Sequence, residues 1–466
     1  MSEPATGAGP MAVRRAGVLL HVTSLPEGTI GPGAHDLVDL LADAGVTVWQ
    51  VLPLVPPKEP GGSPYSATSS MAGNPALIDR SVVREDPSGP AYDDWVARQA
   101  DWLEPYVEFT ALRTVMGGTA WTTWEPGLRD RDPQRVSEAL AGAGDLTDRL
   151  RAEQWTFAEQ WRLLREHAAE RGVVVFGDLP IFVGHDSAEV WSQRRLFLLD
   201  EEGRPTTVTG VPPDYFAADG QRWDNPHYAW DAMAADGYAW WRRRIIRQRE
   251  LFDLVRIDHF RGFEAAWHVP ADAPTARDGW WVPGPGSAVV EALVEAAGPG
   301  TLVAEDLGVI TPEVEALRVG AGLPGMKVLQ FAFDGSPDNP HLPARTGEWS
   351  VVYTGTHDND TTMGWWSGLD DDTRAAVRRV LLEPDEAMPW GLVRLALASP
   401  ARLAVAPAQD LLALGSEARM NTPGREAGAW AWRAEPGALS RDLMDRYGAL
   451  VAASDRLVAA TGSARR

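Results

Sequence analysis

Arg256 and Asp258 stand two apart at the end of a Val-Arg-Ile-Asp run, a spacing that puts both side chains on one face of a β-strand. A guanidinium beside a carboxylate lowers its pKa and aims it, so Asp258 is suited to attack an electrophilic carbon as an anion. Taken alone, the tripeptide reads first as an ordinary ion pair closing a strand. Glu305 ends a second apolar run, Leu302-Val303-Ala304, and is followed at once by Asp306. Neighbouring carboxylates and apolar surroundings raise a carboxyl pKa and would keep a proton on Glu305 for a departing oxygen. The plainer alternative has Asp306 bracing the next loop and Glu305 solvated. His357 and Asp358 follow a third run, Val351-Val352-Tyr353-Thr354. Asp358 can stabilise positive charge on a sugar ring, and His357 can donate to a hydroxyl. A His among Asp residues can also hold a metal, but no second His stands at a helical or hairpin spacing to complete a site, and no metal is expected. A nucleophilic carboxylate, a protonated one and a charge-stabilising one are what chemistry at a glycosidic bond needs.

Such groups must be delivered by something. Eight short apolar segments recur along the chain: Gly17–His21, Val48–Leu54, Val173–Val183, Leu254–Phe263, Thr301–Gly308, Lys327–Phe333, Ser350–Asp360 and Arg402–Leu412. Their near-continuous apolar character suits parallel strands buried on both faces. Helical patterns accompany them over Asp36–Ala44, Ala288–Ala297 and Pro312–Val319, the last with Thr311 as N-cap. The pattern predicts an α/β fold, a (β/α)8 TIM barrel whose active site lies at the C-terminal ends of the strands. An open doubly wound sheet would carry a Gly-rich phosphate loop after an early strand, and the sequence has none. About 120 residues separate the second and third runs and about 70 the third and fourth, more than a crossover helix needs. These gaps predict inserted, mainly helical subdomains over the C-terminal face, at about 80–170 and 186–250. Residues 14–460 are expected to form the catalytic barrel, with disordered tails at 1–13 and 461–466.

Two loops add to the picture. Gly61-Gly62-Ser63-Pro64-Tyr65 is a turn carrying an aromatic ring, and Asp214-Tyr215-Phe216 followed by Gln221-Arg222-Trp223 is a proline-stiffened aromatic edge. Three aromatics on one loop suit a ligand or partner, or burial under a subdomain.

Composition sets bounds. In 466 residues, 43 Lys and Arg face 65 Asp and Glu, a net charge of −22. Such a charge repels phosphate backbones and anionic lipid, so neither nucleic acid nor membrane is an expected partner, whereas a neutral polyol is indifferent to it. The absence of cysteine excludes disulfides, thiolate metal sites and a Cys nucleophile. No apolar run of about 18 residues exists, and Met1–Gly17 lacks the apolar core of a secretory leader, so a cytoplasmic location is expected. Most of the 21 tryptophans are expected to be packing volume rather than sugar platforms.

Read together, the segments resemble glycoside hydrolase family 77, the amylomaltases, over about residues 14–435. The resemblance is carried by Gly-Val-Leu-Leu-His-Val-Thr-Ser-Leu-Pro (17–26), Trp-Gln-Val-Leu-Pro-Leu (49–54), Ser-Pro-Tyr (63–65), Ala-Gly-Asn-Pro-Ala-Leu-Ile-Asp (72–79) and Gly-Asp-Leu-Pro-Ile-Phe-Val (177–183). The loop at 210–226 adds to it, with Val-Arg-Ile-Asp-His-Phe-Arg-Gly-Phe (255–263), Ala-Glu-Asp-Leu-Gly (304–308), Thr-Gly-Thr-His-Asp-Asn-Asp-Thr-Thr (354–362) and Gly-Ser-Glu-Ala-Arg-Met-Asn (415–421). The resemblance implies a retaining 4-α-glucanotransferase acting on α-1,4-glucans, maltooligosaccharides and glucose without metal or organic cofactor. It implies Asp258 as nucleophile, Glu305 as general acid/base and Asp358 as transition-state stabiliser. Arg256, His357, Asp178, Ser63, Tyr65, Asp214, Tyr215, Phe216, Gln221, Trp223 and Asn421 match residues that bind substrate. A hydrolase on the same barrel, or a catalytically silent glucan binder, would share the motifs. The chain departs from the pattern at Asp224, where the family usually has Gly, at Ser66 in place of Gln, and at 31–35 and 342–345. These departures touch loop geometry and chain-length preference, not a catalytic group.

Overall fold

A computed structural model describes residues 9–82, 87–213, 218–424 and 428–458. Among them twelve strands follow one another: β1 (Arg15–Leu19), β2 (Val48–Gln50), β3 (Val174–Pro180), β4 (Thr207–Val211), β5 (Gln221–Pro226), β6 (Leu254–Asp258), β7 (Ala265–Pro270), β8 (Trp280–Pro283), β9 (Leu302–Ala304), β10 (Gly325–Val328), β11 (Ser350–Tyr353) and β12 (Leu403–Pro407). Eight of these form one parallel sheet in the order β10-β11-β12-β1-β2-β3-β6-β9. Its two ends meet, because Ala304 N donates to Pro324 O at 2.9 Å. The fold is a (β/α)8 barrel, and each of its strands overlaps one of the eight apolar runs, β1 and β10 starting two residues before theirs.

The interior explains why those runs are apolar without alternation. Leu19, Val48, Phe176, Leu254, Val303, Met326, Val351, Tyr353, Leu403 and Val405 fill the barrel as one buried cluster. The alternate residues Val18, Trp49, Val175, Val255, Ala304, Val352 and Ala404 meet the surrounding helices. Both faces are therefore dry, as parallel strands require. The helix Pro312–Gly320 shows local chemistry agreeing with the fold. Thr311 accepts from Val314 N at 3.5 Å, Pro312 opens the first turn, Glu313 and Glu315 follow, and Arg318 lies in the last turn. Arg318 also pairs with Asp306 at 3.0 Å, while Asp306 Oδ1 accepts from Met326 N at 2.6 Å. Asp306 is thus a brace across the seam where β9 meets β10.

The first gap holds the long helices Pro90–Val115 and Gly144–Glu170, packed on each other. Trp95, Trp121, Trp124 and Trp161 are buried there, and Trp102 and Trp155 are partly buried. Packing accounts for all six. The second gap is less helical than the sequence suggests: it contains the helix Ala239–Leu251 but also β4 and β5. These pair with β7 and β8, from beyond residue 250, in an antiparallel sheet of order β5-β4-β7-β8. Gly210 faces Arg222 across β4 and β5, where a Cβ would lie 2.2 Å from Gln221 O, so a side chain there would break the pairing.

At the other end of the barrel, packing begins before residue 14: Pro10–Ala12 form a 3-10 turn and Met11 is buried. Residues 1–8 and 459–466 lie outside the described part. Arg456, fully buried, donates to Leu397 O at 2.7 Å, Arg15 O at 2.9 Å and Ser399 O at 2.9 Å. Burial lowers its guanidinium to about 10, so it stays charged at neutral pH and is held by carbonyl dipoles. Removing it takes the donor from Leu397 O and Arg15 O, while Ser399 O keeps Arg14 at 2.8 Å. Arg456→Ala should cost roughly 2–4 kcal/mol, read as a lowered urea midpoint at unchanged slope.

Candidate active site

The carboxylates converge because their strands are neighbours. In the β3–β6 ladder Asp178 lies opposite Arg256 and Pro180 opposite Asp258. Arg256, 4% exposed, bonds Asp178 Oδ2 at 2.6 Å through Nη1 and Asp258 Oδ1 at 2.8 Å through Nη2. Tyr65 donates its hydroxyl to the same Asp178 oxygen at 2.6 Å. The Tyr65 ring stacks on His357 with centroids 5.2 Å apart and planes 7° apart. Burial lowers the His357 pKa, so the ring is neutral at physiological pH. Arg256 is therefore both an ion pair at a strand end and the group that orients Asp258.

Glu305 is docked onto the segment that carries Asp258. Its backbone N–H donates to Ile257 O at 3.0 Å, and its carbonyl accepts from Phe260 N at 3.2 Å. Its carboxylate accepts from His259 N at 2.6 Å and from Leu307 N at 2.9 Å. His259 adopts φ 50°, a left-handed conformation that swings the chain after Asp258 across Glu305. Arg261 adds a tie, donating to Val309 O at 2.5 Å. Burial raises the carboxyl pKa of both Asp258 and Glu305, Asp258 and Glu305 repel, and Arg256 opposes the rise at each. Such a pair gives up its protons in two steps. A charge-assisted bond to a guanidinium outweighs bonds from neutral amides. The first negative charge therefore settles on Asp258, which Arg256 touches, and the remaining proton on Glu305.

Asp358 comes from the loop after β11. Its Oδ1 accepts from Asn421 Nδ2 at 2.6 Å, its carbonyl from Arg419 at 2.6 Å, and its Oδ2 lies 3.4 Å from His357 Nε2. Asn421 is engaged with the Asp358 carboxylate here, and Arg419 clamps both, since it also donates to Asn421 O at 2.6 Å. Beneath the loop lies a residue that sequence reasoning missed. Asp410, 1% exposed, accepts from Thr354 Oγ1 at 2.6 Å, Thr362 N at 2.7 Å and Thr362 Oγ1 at 2.7 Å. It staples the two ends of the His357-Asp358 loop. The signal was present: Asp410 follows the strand end Pro407 just as the other acids follow theirs.

The remaining candidates divide. Trp223 donates to Gln221 Oε1 at 3.2 Å and meets the His259 ring edge-on at 4.9 Å, beside Asp258. Ser63 Oγ accepts from Tyr65 N at 3.2 Å and shapes the turn that presents Tyr65. Asp214, Tyr215 and Phe216 lie outside the described residues. Asp224 has φ 61° within the irregular stretch of β5 opposite β4. A bulge with a left-handed residue is a glycine position, and Asp is among the few other residues that tolerate it. Its exposed carboxylate pairs with Arg222 at 2.9 Å, a contact worth little in water. Asp224→Gly should stay within about 1 kcal/mol of the parent, whereas Asp224→Val should lose about 1–2 kcal/mol by thermal unfolding.

A (β/α)8 barrel that gathers an Arg-oriented Asp, a buried Glu and a clamped Asp at the strand C-terminal rim is the scaffold of an enzyme working on glycosidic bonds. Comparison narrows the class. The profile of glycoside hydrolase family 77, described as 4-alpha-glucanotransferase, matches residues 20–89 and 80–439, and the chain belongs to this family. A 4-alpha-glucanotransferase of Thermus thermophilus is 46% identical over 497 aligned positions, covering 95% of this chain and 99% of that one. The chloroplastic/amyloplastic enzyme of Arabidopsis thaliana with the same activity is 39% identical, covering 95% and 87%. The solved amylomaltase of Streptococcus agalactiae in complex with acarbose superposes with a TM-score of 0.90 at 30% identity, covering 96% of this chain and all of that one.

Proposed function

We infer that the chain transfers a segment of an α-1,4-glucan to the 4-hydroxyl of glucose or of another glucan, by double displacement with retention of configuration. The observation that carries the residue assignment is the docking of Glu305 on the backbone of His259, next to an Asp258 held by Arg256. Asp258 attacks the anomeric carbon while Glu305 passes its proton to the departing glycosidic oxygen, leaving a glycosyl ester on Asp258. Glu305, now a base, removes the proton of the incoming 4-hydroxyl, and the new glycosidic bond displaces Asp258. Asp358 faces the positive charge that develops on the ring, and Asn421 and Arg419 hold it still. His357 offers its ring to a sugar hydroxyl, and Asp178, whose side chain is fully buried, serves the site by holding Arg256 and Tyr65. Trp223 and Gln221, with Asp214, Tyr215 and Phe216 of the same loop, hold the acceptor, whose effective molarity lets it compete with water. A cytoplasmic place of action is part of this proposal; no helix of the described residues is long and apolar enough to cross a membrane.

The test is incubation with maltotriose. Transfer yields glucose together with oligosaccharides longer than the substrate. Shorter products alone would make the protein a hydrolase, and no product would make it a silent binder. Replacing Tyr215 and Phe216 together with Ala should raise the share of hydrolysis; an unchanged ratio would remove the loop from acceptor control.

A further inference from the structure

We propose that Trp280, on the outer strand β8, is a stacking platform for an α-1,4-glucan chain outside the catalytic groove, so that long chains are held at a second point. The inference rests on the transferase reading above. Of the 21 tryptophans, Trp280 at 46% and Trp281 at 37% are the two that expose more than a third of their surface, and they are neighbours on one edge strand. Strand alternation sends them to opposite faces. The Trp281 ring is already in use: the Arg261 guanidinium covers it at 3.7 Å and Trp267 meets it edge-on at 5.2 Å. Trp280 touches one aromatic neighbour among the described residues, His268, with centroids 6.2 Å apart.

The face bearing Trp280 runs by register to the segment that follows Asp258. Trp280 pairs with His268, His268 with Thr209, and Val211 with Gln221. Thr209 and Val211 are two apart on β4 and share a face, and Gln221 shares a face with Trp223, to which it is hydrogen-bonded. Trp223 in turn lies against His259, the residue after Asp258. Along this face the rings are continuous. Phe182 stands 6.5 Å from Trp223, His227 5.9 Å from Phe182, His268 3.4 Å from His227, and Trp280 beyond it. Phe182, His227 and His268 are buried, so the outer indole is mounted on the same packed frame as the catalytic loop.

That continuity with the catalytic face selects the occupant. From β5 to β8 are three strand spacings, about 14 Å, so only a glucan that continues past Trp223 from the bond at Asp258 reaches Trp280. An α-glucan offers apolar sugar faces to an indole and carries no charge for the net −22 to repel. A peptide strand added to the free edge of β8, or a second copy of the chain, are the competing occupants.

The experiment compares Trp280→Ala and Trp280→Phe with the parent, measuring KM for transfer on amylose and on maltotriose. Trp280→Ala should raise KM for amylose at least threefold more than KM for maltotriose, and Trp280→Phe, which keeps a smaller ring and guards against a folding loss in the Ala variant, should shift the ratio the same way by less. Native electrophoresis in soluble starch should show the parent retarded more than either variant. KM values that move together, or do not move, overturn the proposal. So does an unchanged KM ratio accompanied by a later elution in size exclusion, which would assign the ring to a contact between copies. A parent that fails to lengthen maltotriose sinks the transferase reading itself, an outcome distinct from failure of the platform.

Discussion

Asp258→Asn is expected to lower transfer from maltotriose by at least about a thousandfold while raising the thermal midpoint of the free protein. The loss follows from chemistry. An amide does not form the glycosyl ester, although it keeps the size of the carboxylate and can still accept from Arg256, so the fold has no reason to change. The gain follows from linkage. Burial lifts the Asp258 carboxyl above the ordinary carboxylate range, with Asp178, Glu305 and Asp358 adding to the lift and Arg256 opposing it. A group whose folded pKa is raised binds its proton more tightly folded than unfolded. Its site is therefore fully tolerated below the unfolded carboxyl range, and stability is lost as pH rises from there through the raised folded value. Asn has no proton to lose. The midpoint difference between variant and parent should be small at pH 4–5 and grow toward pH 8. Transfer within tenfold of the parent would remove Asp258 as nucleophile; a midpoint difference that ignores pH would show that the carboxylate is not held at the cost of stability.

The barrel was legible because burial on both faces writes itself into the sequence: Val173–Val183 and Ser350–Asp360 contain β3 and β11, which are apolar but for Asp178 and Ser350. Their C-terminal ends were not legible, since each apolar run continues past the last ladder pair into the loop that carries the chemistry. Thr311 marked a helix start correctly because capping is a local interaction. The β5-β4-β7-β8 sheet escaped because Thr207 must find Pro270, and nothing near either residue names the other. The same distance hid Asp410, whose partners Thr354 and Thr362 come from a loop about fifty residues earlier. Arg256, Asp258 and Glu305 announced themselves as strand-end charges, but the backbone amide of His259 that fixes Glu305 has no side-chain signature at all.

Glu305→Gln should separate the acid/base role from the rest of the site. Burial holds the Glu305 carboxyl above its ordinary range, with Arg256 and the amides of Leu307 and His259 pulling the other way. Its proton is therefore retained into the pH range where Asp258, bonded to Arg256, is already ionised. In that window the pair carries one proton, and kcat/KM should be bell-shaped, its acid limb reporting ionisation of Asp258 and its alkaline limb loss of the Glu305 proton. Gln cannot give or take that proton, so transfer from maltotriose should fall by about a hundredfold or more and the alkaline limb should vanish, leaving the acid limb in place. An α-maltosyl fluoride donor sharpens the test, because fluoride leaves without protonation. With it, formation of the glycosyl ester should survive Glu305→Gln far better than with maltotriose, and should still fail in Asp258→Asn. Equal losses on both donors would mean that Glu305 supports the loop rather than shuttling the proton, and persistence of the alkaline limb in the Gln variant would place the second titrating group elsewhere in the cluster.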